Sequence, residues 1–80
     1  MRINHQQITL KLIEAAIGHQ RALALGQIAI LETLLGNPEV ADIDNYIEQI
    51  VEHTSKLAEY ESCMNTLNKY FVVQAKTPPA

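Results

Sequence analysis

Cys63 and His53 are the two side chains of this sequence best suited to nucleophilic chemistry, a thiol and an imidazole that could take its proton. Their spacing works against it. Ten residues of helix separate them, about 15 Å at a rise of ~1.5 Å per residue, so a dyad would have to form between chains. His5, His19 and His53 make no H-x-x-x-H pair and have no carboxylates at metal-ligand spacing, so neither a metal nor a cofactor is expected. Phosphate recognition fails on charge. The chain carries a net −3, and residues 37–80 set Lys56, Lys69 and Lys76 against seven acids, the reverse of what nucleic acid attracts. These residues point to a protein that is not an enzyme and binds neither nucleic acid nor metal.

Length and composition narrow the rest. Eighty residues, 48% hydrophobic and 5% aromatic, allow one small domain, and chains below roughly 70–80 residues usually need a disulfide, a metal or a partner copy for stability. A single cysteine excludes an internal disulfide and suits a reducing compartment. The N-terminal MRINHQQ has no apolar segment of the kind that marks a secretory signal. The longest apolar stretch, Ala22 to Leu35, is interrupted by Gln27 and Glu32 and falls short of the ~20 residues of a membrane span. A cytoplasmic chain that avoids the membrane is expected.

The elements that must position these side chains are two helices. The central LLGNPEV supplies Gly36 for a left-handed helix end, Asn37 for an N-cap and Pro38 for a first helical position. Glu39 and Asp42 then complement the positive end of the second helix. Asn4 and Gln7 have capping-box spacing, with Ile3 and Ile8 at the staple positions, while Pro78 and Pro79 stop any helix before a short tail. The expected fold is all-α: one domain over residues 1–76, helix 1 about 5–35 and helix 2 about 38–75, joined as an antiparallel hairpin, with a flexible tail at 77–80. A break near Gly18, giving three helices, is the competing layout.

Helix 2 has the clearer stripe. Ile43, Tyr46, Ile50, His53, Leu57, Tyr60, Met64, Leu67 and Phe71 follow one another by threes and fours, the heptad spacing of coiled-coil packing. Ile47 and Val51 widen it, and Glu48, Glu52 and Glu59 mark a solvated face opposite. On helix 1, Leu12, Ile13, Ile17, Leu23, Ile28, Ile30, Leu31, Leu34 and Leu35 cover an arc of about 160° at ~100° per residue. One neighbouring helix cannot cover that arc, so self-association into a four-helix or larger bundle is expected, with the arc and the stripe as its interface.

Opposite the arc stand Gly18, Ala22 and Gly26, spaced by four. Two glycines inside a helix cost roughly 1 kcal/mol each relative to alanine. They are either solvent-facing small residues or a groove in which a partner helix approaches closely. His53, between Tyr46 and Tyr60, reads as a hydrogen-bonded seam histidine, and Cys63 as a thiol at the bundle edge.

The hairpin outline resembles that of the plasmid copy-control RNA-binding proteins of the Rop type, although their RNA-docking basic residues have no counterpart on one face here. In length and in its proline-containing turn the chain is similar to type III secretion needle subunits and their helical co-chaperones. It is also similar to short phage-encoded helical proteins, such as antirepressors, that inactivate another protein by binding it. The expected function is a protein-binding regulator or inhibitor that uses Gly18, Ala22 and Gly26, or the acidic face at Glu48 and Glu52. The alternative is an assembly subunit or co-chaperone of the needle type.

Overall fold

The computed structural model describes residues 5–38 and 40–72. Two long helices lie antiparallel: α1, His5–Gly36, and α2, Ile43–Leu67, with a 3₁₀ turn at Val40–Asp42 between them and a π-helical turn at Asn68–Val72 closing the described chain. The all-α hairpin expected from the heptad stripe and the central proline is therefore the fold. The three-helix layout is not, because α1 runs unbroken through Gly18 and Gly26.

The turn is built differently from the expectation. No glycine among the described residues has a positive φ, so Gly36 ends α1 without a left-handed cap. Pro38 supplies the stop instead, since a residue preceding proline is pushed out of the helical region and Asn37 holds that place. Nor does Asn37 cap the second helix. That role belongs to Asp42, whose carboxylate accepts a hydrogen bond of 3.2 Å from the Asn45 N–H, so α2 begins at Ile43 rather than near residue 38. The Asn4 cap, its Ile3 staple partner, Glu39 and the tail at 77–80 lie outside the described residues.

The seam shows how the sequence of α1 is used. Leu10, Ile13, Ile17, Gln20, Ala24, Gln27, Leu31 and Leu34 are all partly or fully buried, and they too are spaced by threes and fours. This is a second heptad stripe, hidden in the sequence because alanine and two glutamines occupy its middle. Ala24 is 4% exposed, the most buried residue described. Its missing bulk lets the helices approach there, so Ala24→Leu should destabilise the hairpin by about 1–3 kcal/mol through overpacking. Chemical denaturation would show it, and an unchanged midpoint would mean that the helices are not held close at this point.

On α2 the stripe behaves as expected from Tyr46 to Leu67, every member being partly buried. Phe71, expected to continue it, is instead 49% exposed, and Val72 is buried in its place. The π turn is the physical reason. Its wider winding inserts one residue into the phase, so the seam position after Leu67 falls five residues on rather than four. Tyr70 and Phe71 are thereby turned outward, and the Lys69 ammonium lies 5.2 Å from the Tyr70 ring.

Candidate interaction surfaces

Hydrogen bonds across the seam set the register. Tyr46 donates its hydroxyl to the Leu34 carbonyl at 2.6 Å. Leu34 is in the last turn of α1, where carbonyls have no intrahelical partner, so this phenol completes the end of the other helix. One heptad further on, His53 Nδ1–H donates to Gln27 Oε1 at 2.7 Å. Seven residues on each helix separate these two pairs, so the seam is in antiparallel heptad register. His53 is the seam histidine expected, and its partner Gln27 carried no signal of its own beyond a polar residue in an apolar run.

The remaining sequence candidates are dispersed. Cys63 is exposed on α2 while His53 is turned into the seam. Among the described residues no group of three His, Cys, Asp or Glu is placed to hold a metal ion, and no helix is long and apolar enough to cross a membrane. Gly18, Ala22 and Gly26 are exposed on α1, and a Cβ added at either glycine would meet nothing within 4 Å. Glu48 and Glu52 are exposed on α2, Glu52 carrying a surface ion pair of 3.3 Å with Lys56.

Of the residues expected to form an interface between copies, Ile13, Ile17, Ile28, Leu31, Tyr46, Ile50, His53, Leu57, Tyr60, Met64 and Leu67 are engaged in the hairpin itself, each partly buried. Leu12, Leu23, Leu35, Ile43 and Phe71 remain exposed, together with Leu25, Ile30, Ile47, Val51 and Tyr70. A two-helix seam buries one stripe per helix and leaves the flanks of each stripe in water. Among the described residues, shallow grooves mark the surface, three of which bear on the flanks. One of about 410 Å³ runs along the outside of α2 between Ala58 and Tyr70. A second, about 300 Å³, is lined by Ala29, Ile30, Thr33 and Leu34. The third, of similar volume, lies between the helices at their open end, lined by Glu14, Ile17, Arg21, Asn68 and Val72. None is enclosed on all sides by protein in the way a small-molecule site usually is.

The class these features define is an antiparallel α-helical hairpin with a polar pair in its seam and large apolar side chains on its flanks. No family model matches the chain, nor does any curated protein or any solved structure.

Proposed function

We propose that the chain is a non-enzymatic, protein-binding regulator or inhibitor whose hairpins self-associate and present a helical surface to another protein, in the manner of an antirepressor. The observation that supports this is the run of large apolar residues left in water on both helices, Leu12, Leu25, Leu35, Ile47 and Val51 among them, each more than half exposed. Large exposed apolar patches mark interaction sites in soluble proteins, and these residues leave apolar surface in water on both helices. The outer face of α2, with Glu48 and Glu52, is the surface assigned to a partner protein, through charge complementarity with a basic patch. The strip of Gly18, Ala22 and Gly26 is a second place where a partner helix could lie close.

The test is capture of bound protein from the native host with wild-type chain and with Glu48→Lys/Glu52→Lys. A stoichiometric complex with one unrelated protein is expected, weakened at least tenfold by the charge reversal, with the oligomer unchanged in light scattering. The ion pair lost with Lys56 is exposed and worth only about 0.3–0.5 kcal/mol, too little to unfold α2. Recovery of long assemblies made only of this chain would replace the regulator with an assembly subunit. A monomer at tens of micromolar would remove the self-association.

A further inference from the structure

We propose that a second copy of this chain covers one particular flank of the hairpin, the side carrying Ile28, Leu35 and Ile47, with the two turns at the same end of the dimer. This rests on the self-association reading above and assigns its face and orientation.

The structure is a single layer of two helices, with principal-axis extents of 60 × 27 × 14 Å. Its radius of gyration is 18.1 Å, against roughly 12 Å for a compact chain of this length. It exposes 6348 Å², where a compact monomer of this mass exposes roughly 4,800 Å². The excess, about 1,500 Å², is more than the ~800 Å² that each partner gives to a stable interface of standard size. One missing layer of the same dimensions is what a second hairpin supplies.

The choice of flank follows from the register. The groove at the open end shows that Glu14 and Arg21 of α1 lie on the same side of the seam as Asn68 of α2. Stepping by heptads toward the turn, Glu14 and Arg21 lead to Ile28 and Leu35, and Asn68 leads back through Glu61 and Thr54 to Ile47. This flank is therefore polar at the open end and apolar on both helices near the turn, with Val51 exposed at its outer edge. The other flank is apolar on α1 only. There Leu23 and Ile30 stand across from Gln49, Lys56 and Cys63.

Orientation follows from matching like with like. A fully overlapped pair with turns at opposite ends would lay Ile28, Leu35 and Ile47 on Glu14, Arg21 and Asn68, burying polar groups against apolar ones at a cost. With turns together the apolar halves meet. The open halves then oppose surfaces that each carry two acids, Glu14 and Glu61, and one base, Arg21, a net −1 on each side that costs less than laying these charges on Ile28, Leu35 and Ile47.

Three measurements on the full chain test this. Sedimentation should give a dimer, and Ile47→Glu or Val51→Glu should weaken it about 100-fold. Both positions are more than half exposed in the hairpin, so neither substitution enters the seam. Leu23→Glu, on the other flank, should leave the dimer intact. In a Cys63→Ser background, spin labels at Asn37→Cys should lie apart by a distance on the scale of the 14–27 Å cross-section rather than the 60 Å length. That reading needs no flank variant to fold. A dimer that survives Ile47→Glu and Val51→Glu, that is lost with Leu23→Glu, or that gives a label distance near the full length overturns the assignment while leaving self-association in place. A wild-type monomer at tens of micromolar overturns both.

Discussion

Replacing Gln27 by leucine is expected to destabilise the hairpin by about 1–3 kcal/mol, although it adds an apolar side chain to an apolar seam. The reason is its partner. His53 Nδ1–H donates to Gln27 Oε1 at 2.7 Å in a partly buried position, and leucine leaves that donor without an acceptor and without full access to water. His53→Leu alone strands the Gln27 amide in the same way. The double replacement removes both polar groups and should recover most of the loss or exceed wild type, so a double-mutant cycle should give a coupling of 0.5 kcal/mol or more. What the double variant should lose is uniqueness of register. The pair penalises any slip that would separate its members, and without it the Tyr46–Leu34 bond holds the register at the turn end, so amide-exchange protection should become uneven along α1. Additive single effects in the cycle would show that the pair is not coupled.

Gly18→Ala together with Gly26→Ala is expected to raise stability by about 1–2 kcal/mol, because each glycine sits in regular helix and costs up to ~1 kcal/mol relative to alanine. No contact opposes the change, since nothing lies within 4 Å of the added methyl at either position. For a domain of this size that gain corresponds to a rise of roughly 5–15 °C in melting temperature. The same variant separates the two roles of this strip. A solvent-facing strip gives a more stable chain with unchanged partner binding, whereas a close-approach groove gives a more stable chain that binds its partner less well, an effect that Ala22→Leu should enlarge. A fall in stability would mean that a neighbouring chain already occupies the strip in solution.

The sequence by itself determined that the chain is helical, that it folds back near Pro38, and which residues of α2 face inward from Tyr46 to Leu67, because a heptad stripe of large apolar side chains has one way to be buried against a neighbour. Tertiary structure decided what short-range pattern leaves open. Gln20, Ala24 and Gln27 lie in the seam of α1, while the larger Leu12 and Leu35 do not. Hydrophobicity ranks those five the other way, and only the partner helix chooses between them: His53 needs an acceptor, which Gln27 supplies, and close approach needs a small residue, which Ala24 supplies. Asp42 rather than Asn37 starts α2, because Pro38 and a 3₁₀ turn carry the chain across the end of the hairpin before the next helix can form. Phe71 gives way to Val72 because a π turn shifts the phase by one residue, a change of winding that leaves no mark in heptad spacing and is settled by which side chain the open end of α1 can accommodate.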